Sequence, residues 1–229
     1  MGKVKVIFII VLLLLSYEIS GGESMIKNIS WLKHDSFKII EGGLTIYTDP
    51  FQISKNDIAD IVFISHAHYD HCSPDDVAKI KGPDTTIVTT HDCASKLEGD
   101  IKIVKPGDSV SVKNVSIKAI PAYNINKNFH PKANNWVGFI FSVSGKKYYF
   151  TGDTDYIPEM DALKNEHIDV AFIPVSGTYV MTAEEAVKAT LSIMPKVAIP
   201  MHYGSIIGNK SDAETFKKGL EGSVEVVIF

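Results

Sequence analysis

From Met25 onward, short apolar runs alternate with turn residues and with stretches of helical periodicity. Residues 26–32, 37–40 and 44–47 read as strands, the last two joined by a Gly42-Gly43 turn. Residues 60–65 form a compact apolar run, the pattern of a strand buried on both faces. Ser73-Pro74-Asp75-Asp76 then predicts a helix start, with Ser73 as N-cap, proline in the first turn and an acid three residues on. A β-branched strand at 85–90, a short helix near 93–97, a strand at 101–104 and two strands within 109–120 follow. An irregular Asn-rich loop spans 123–135, and 136–143 with 147–151 form a hairpin about Ser144-Gly145. After a short helix near 158–163 comes a nearly all-apolar strand, 168–175. Thr182-Ala183-Glu184-Glu185 is a capping box opening a helix to about Met194. A strand at 197–201, a helix near 212–220 and a strand at 224–229 close the chain. Strands dominate the start of each half with helices interleaved. That order predicts an α/β (α+β) architecture of sheets packed together with helices outside.

The first residues break this pattern. Lys3 and Lys5 precede an apolar run at 6–15, and Ile19-Ser20-Gly21-Gly22 follows, as in a signal peptide. The run is shorter than the roughly 20 apolar residues that span a bilayer. The alternative is that translation starts at Met25 and 1–24 is a wrongly appended leader. The first reading makes the protein exported or membrane-associated and the second cytoplasmic. No cysteine stands beside the small residues, so a lipoprotein anchor has no support.

Residues 25–229 read as one domain, and 45% hydrophobic with 22% charged residues suits an ordinary globular chain. A net charge of −4 offers no basic excess, which argues against a nucleic-acid partner and leaves a small-molecule substrate. Membrane contact is expected only through the N-terminal segment, and nothing in the sequence speaks to oligomeric state. The two cysteines, Cys72 and Cys93, can pair if the chain is exported, but two do not make a disulfide framework. Cys72 adjoins His71 and reads as a small buried residue rather than a ligand.

The chemistry concentrates in His66-Ala67-His68-Tyr69-Asp70-His71, directly after the buried strand at 60–65. Imidazole and carboxylate are the ligands of zinc and related divalent ions. A strand-to-loop bend can direct His66 and His68 to one ion while Asp70 and His71 turn towards a second. A His-rich surface loop would not explain this spacing.

The loop resembles the metallo-β-lactamase superfamily, whose HxHxDH signature is matched in full by His66, His68, Asp70 and His71. Further motifs of that family follow through residues 25–229. Tyr47-Thr48-Asp49-Pro50 is similar to its early aspartate motif, which implies that Asp49 supports the histidine loop by hydrogen bonding. Thr151-Gly152-Asp153-Thr154 resembles the strand-end motif whose aspartate, here Asp153, bridges two metals. Ile199-Pro200-Met201-His202-Tyr203-Gly204 resembles the last motif, whose histidine, here His202, serves the second metal. Trp31-Leu32-Lys33-His34 resembles the opening of a subgroup that often reads leucine-glycine-histidine and holds lactonase-like and phospholipase-like hydrolases. His34 is expected to support the site by hydrogen bonding rather than as a ligand. The resemblance implies a four-layer αββα sandwich and two divalent ions, Zn2+ first, with Mn2+ or Fe2+ as alternatives.

One motif departs. Where related sequences carry a third-motif histidine, this chain reads Ile120-Pro121-Ala122-Tyr123-Asn124. His130 can reach back from the loop to take that place; otherwise Asn124 or a water fills it, or one metal binds poorly. His91, at another strand end, is a further candidate, and His167 reads as a solvated helix-end residue.

The expected activity is a metal-dependent hydrolysis in which hydroxide, formed from water held by the two ions, attacks an ester, lactone, amide or phosphodiester bond. Asp70 would orient that water and pass its proton to the leaving group. Tyr123, Asn124, Lys127 and Lys132, with Tyr179, are weaker candidates for pocket walls that contact an anionic substrate. A lactonase or phosphodiesterase fits better than a β-lactamase or nuclease. The alternatives are a non-haem iron redox protein of the same superfamily, or a degenerate metal-binding protein without turnover.

Overall fold

The computed structural model describes residues 25–54 and 57–229, so the expected leader, 1–24, lies outside the described residues. Among the described residues no helix is long and apolar enough to cross a membrane.

Two mixed sheets carry the fold. In the first, β1 (Ile29–Lys33), β2 (Ser36–Glu41), β3 (Leu44–Thr48), β4 (Ile61–Ile64), β5 (Thr86–Thr89) and β6 (Asp100–Ile103) lie in chain order. Their hairpin-linked start is antiparallel, and β3 to β6 run parallel. The second holds β7 (Ser109–Val112), β8 (Val115–Pro121), β9 (Val137–Val143), β10 (Lys146–Phe150), β11 (Val170–Pro174), β12 (Val197–Met201) and β13 (Glu225–Val226). It repeats the plan, an antiparallel meander followed by parallel strands from β10 on.

Period-two alternation decides which residue faces which layer. Phe37, Ile39, Phe63 and Val88 of the first sheet meet Phe139, Phe141, Phe150 and Phe172 of the second in a core between the sheets. The opposite face of the first sheet, with Tyr47, Val62 and Ile64, packs on Val77 and Ile80 of α1 (Pro74–Ile80). That of the second, with Tyr149, Ala171 and Ile173, packs on α3 (Ala183–Ile193) and α4 (Lys210–Gly219). The result is the four-layer αββα sandwich. Cys72 and Cys93 are free and buried in the outer layer beside α1, so the pairing considered for them is not formed.

The caps read from the sequence act as such: Ser73 accepts from the Asp76 amide, and Thr182 and Glu185 close a reciprocal box. Several boundaries differ. The helix expected near 93–97 is α2 (His91–Ala94), and that near 158–163 is a 3-10 helix, Pro158–Glu166. The last strand shrinks to two residues, Glu225–Val226, at the sheet edge beside β12.

Lys33 has φ +97°, at an irregularity in the β1–β2 pairing. A side chain there costs about 1–3 kcal/mol. Lys33→Gly is therefore expected to raise stability by about 1 kcal/mol after allowing for glycine's added chain entropy. An unchanged or lower urea midpoint would rule out strain at this turn.

Candidate metal centre

The clustered residues sit at or just beyond the C-terminal ends of strands, where a mixed α/β sheet places its ligands. Asp49 follows β3, His66 follows β4, Asp153 follows β10 and His202 follows β12. After His66 the chain turns sharply, the amides of His71 and Cys72 both donating to the His68 carbonyl. The rings of His66 and His71 thereby lie 4.1 Å apart. Gly152 brings the two sheets together here. It has φ +61°, and a Cβ on it would meet Ser65 Cβ at 2.8 Å, so only glycine lets Asp153 reach the histidine loop.

Asp153 Oδ2 is the hub. It lies 3.1 Å from His130 Nε2, 3.1 Å from His202 Nε2, 3.5 Å from His71 Nε2 and 3.9 Å from His66 Nε2. Two donor groups share this neighbourhood: His66, His68, His130 and Asp153, and His34, Asp70, His71 and His202. Within each, the donor atoms lie within 4.8 Å of one another. His130 thus occupies the first group across from His66 and His68. Asn124 does not face the group. It holds His130 instead, its Oδ1 accepting from both the backbone amide and Nδ1 of His130, each at 3.0 Å.

A hydrogen-bonded outer ring aims these imidazoles. Nδ1 of His71 donates to Asp49 Oδ2 at 2.7 Å, and Nδ1 of His66 meets Ser65 Oγ at 2.8 Å. Ser65 in turn donates its hydroxyl and amide to Asp49. Nδ1 of His202 meets Ser176 Oγ at 2.9 Å. With Nδ1 engaged outward, Nε2 presents its lone pair inward, the tautomer a metal requires. The inward atoms have nothing else to do: His71 Nε2, His130 Nε2, both ring nitrogens of His34 and Asp153 Oδ1 are buried without a hydrogen bond. Buried orphan donors and acceptors on this scale are costly unless a ligand satisfies them. His66 Nε2 and His68 Nδ1 approach to 3.0 Å, a contact that calls for a proton or a cation between them. The donor set fits divalent metal.

Charge follows the same plan. Burial opposes ionisation of Asp153, but the charges of His202 and His71 hold its carboxyl well below the usual range. Burial would likewise lower His71 and His202, yet Asp153 raises both. Burial pushes His66 and His34 down, leaving them neutral. A cation binding here displaces the protons of His71 and His202, so its affinity falls on acidification.

His34 was expected to support the site by hydrogen bonding. Its ring contacts Asp70, with Nε2 3.3 Å from Asp70 Oδ2, and this places it in the second donor group. Tyr123 and Asn124 do not line the cleft over the site: the Tyr123 hydroxyl donates to Glu159, and the Asn124 amide donates to Asp155 and the Tyr179 carbonyl. Tyr179 does line that cleft of about 240 Å³, together with Tyr69, Phe129 and Ile206, above a floor of His68, Asp70, His130, Asp153 and His202. A larger surface groove of about 610 Å³ runs past His91 and Asp92 and contains none of the clustered residues. His91 and His167 are exposed and apart from both groups.

Sequence reading missed Asp35, Ser65 and Trp136, and placed Ser176 with Tyr179 in a pocket wall rather than against His202. Trp136 walls the first group, 4.8 Å from the rings of both His66 and His68. Asp35 is fully buried with neither carboxylate oxygen hydrogen-bonded, and burial drives its pKa well up. Its place directly after His34, in a segment otherwise ready to pair as strand, was the available signal.

A family model described as the β-lactamase superfamily domain matches residues 28–202. A UPF0173 metal-dependent hydrolase of Thermoplasma acidophilum is 32% identical over 210 residues, 86% of this chain and 91% of the relative. A solved structure described as a metal-dependent hydrolase, from Parabacteroides distasonis, is similar at a TM-score of 0.78 with 33% identity, covering 87% of this chain and 91% of its own. Another, described as a Zn-dependent hydrolase of the metallo-β-lactamase superfamily from Thermotoga maritima, has 25% identity and a TM-score of 0.59, covering 87% and 96%.

Proposed function

Because this chain belongs to the β-lactamase superfamily and is a metal-dependent hydrolase, we propose that it holds two divalent ions and hydrolyses a neutral ester or lactone bearing an apolar group. The observation that carries this reading is Asp153 Oδ2, which belongs to the first donor group and also lies 3.1 Å from His202 Nε2 and 3.5 Å from His71 Nε2 of the second, beneath an apolar cleft mouth. His66, His68, His130 and Asp153 would hold one ion, and Asp70, His71, His202 and Asp153 the other. Zinc suits these nitrogen and oxygen donors, as the description of the Thermotoga relative suggests, and manganese is the second choice. Ions bound there supply Lewis acidity and bring the pKa of water close to neutrality.

The chain's own groups do the rest. Asp70 opens onto the cleft, and although burial opposes its ionisation, the contact with His34 keeps its carboxyl below the usual range. It is therefore a base at neutral pH, placed to take a proton from the attacking water and return it to the leaving group. Tyr69, Phe129, Tyr179 and Ile206 would bind an apolar substituent and exclude water. The lining carries no Lys or Arg. The two lysines expected to meet an anion are engaged elsewhere, Lys127 with Asp155 at 2.5 Å and Lys132 with Glu159 at 2.9 Å. That favours a neutral substrate over a phosphodiester. The position of His130 supports turnover over a degenerate site.

Assays of metal-reconstituted protein on lactones and esters of increasing alkyl length test this reading. The expected gain in kcat/KM is about fourfold per methylene, from ~0.8 kcal/mol per buried CH2. A phosphodiester hydrolysed faster than every lactone and ester would overturn the substrate class, and redox-active iron in the purified protein would favour oxidative chemistry instead.

A further inference from the structure

We infer that His34 is itself a ligand of the second metal ion, giving that ion three imidazoles, as many as the first. The inference rests on the two-ion reading above and goes beyond its donor list.

The ring of His34 is enclosed among donors. Its centroid lies 4.3 Å from that of His202 and 5.2 Å from that of His71, and Nε2 is 3.3 Å from Asp70 Oδ2. One donor atom from each of His34, Asp70, His71 and His202 falls within a 4.8 Å set, the same closeness that defines the first group. A structural histidine at 1% exposure would pair its ring N–H with a carbonyl or hydroxyl. Neither nitrogen of His34 does so.

The backbone is arranged to put the ring there. Lys33 and His34 are consecutive residues of positive φ, +97° and +51°, neither of them glycine. The His34 carbonyl fixes this turn, accepting from Trp31 Nε1 at 2.8 Å and from the His202 amide at 3.4 Å. Strain held by such contacts is typical of residues that a site requires in one position. His202, the ligand opposite, also has positive φ, +61°, so both sides of the second group are built on left-handed turns tied to each other.

The chemical consequence is an asymmetric pair. The first ion has three imidazoles and one carboxylate, the tetrahedral complement of zinc. The second has three imidazoles and two carboxylates, a set suited to an ion that accepts five or six donors, such as Mn2+ or Fe2+.

The decisive measurement is made on the unaltered chain. Protein with 15N-labelled imidazoles is titrated with 113Cd2+, and each ring nitrogen is scored for scalar coupling to cadmium. Coupling is expected at His34 as well as at His66, His68, His71, His130 and His202, and at neither His91 nor His167. His34→Gln should then weaken the second equivalent of cadmium at least about tenfold and leave the first unchanged. Coupling at His71 and His202 without coupling at His34 overturns the inference while the two-ion reading stands. Loss of coupling at His71 and His202 as well removes both.

Discussion

Asp153→Asn is expected to lower kcat/KM by at least about 10⁴-fold and to leave purified protein with less than one tightly held metal ion per chain. The reason is positional. Asp153 Oδ2 is the one atom that approaches His130, His202, His71 and His66 together, so its charge serves both donor groups. The Lewis acidity of each ion contributes several kcal/mol to transition-state stabilisation; taking ~3 kcal/mol for each gives ~6 kcal/mol, or roughly 10⁴-fold at 1.36 kcal/mol per decade. Asparagine keeps the volume of the side chain among the imidazoles, so a loss of activity with unchanged circular dichroism reports on charge rather than on packing. Activity within tenfold of the parent, together with unchanged metal content by mass spectrometry, would mean that Asp153 bridges nothing.

The donors that were legible in the sequence are those whose geometry is local. His66, His68, Asp70 and His71 share one turn closed by the His68 carbonyl, so their spacing alone implies convergence. Asp153 and His202 end strands that the apolar pattern marks clearly, and the buried faces of β4, β11 and β12 follow from uninterrupted runs of apolar residues. The outer ring is a different matter. Asp49, expected from its motif to support the histidine loop, meets His71 across 22 positions of chain, whereas Ser176 meets His202 across 26, and serine at a strand end carries no signal of its own. His34 was legible as a motif but not in its place, because its ring reaches the second group only through a turn tied to His202 on the other sheet. Fold came through more completely than site for a physical reason: layer order depends on the alternation of many residues, whereas a donor's place depends on one backbone turn.

The loop that replaces the usual third-motif histidine yields the second large effect. His130→Ala removes a donor from the first group, and activity is expected to fall about 10³-fold, from ~4 kcal/mol of lost stabilisation, with no recovery in excess metal. Asn124→Ala leaves the donor in place but removes the acceptor that fixes both the amide and Nδ1 of His130. Residues that orient a metal ligand typically alter affinity by about 10–100-fold. Asn124→Ala should therefore lose activity at limiting metal and regain most of it when metal is raised by about two orders of magnitude. It should also lose about 1–3 kcal/mol of stability, since the Asp155 carboxylate and the Tyr179 carbonyl lose the Asn124 amide. Metal titrations of kcat for both variants separate the roles. Equal loss without rescue in both would make Asn124 a ligand in its own right. Full activity in His130→Ala would return the vacant third-motif position to a water or to Asn124, and the contact of His130 with Asp153 would then be only a buried ion pair.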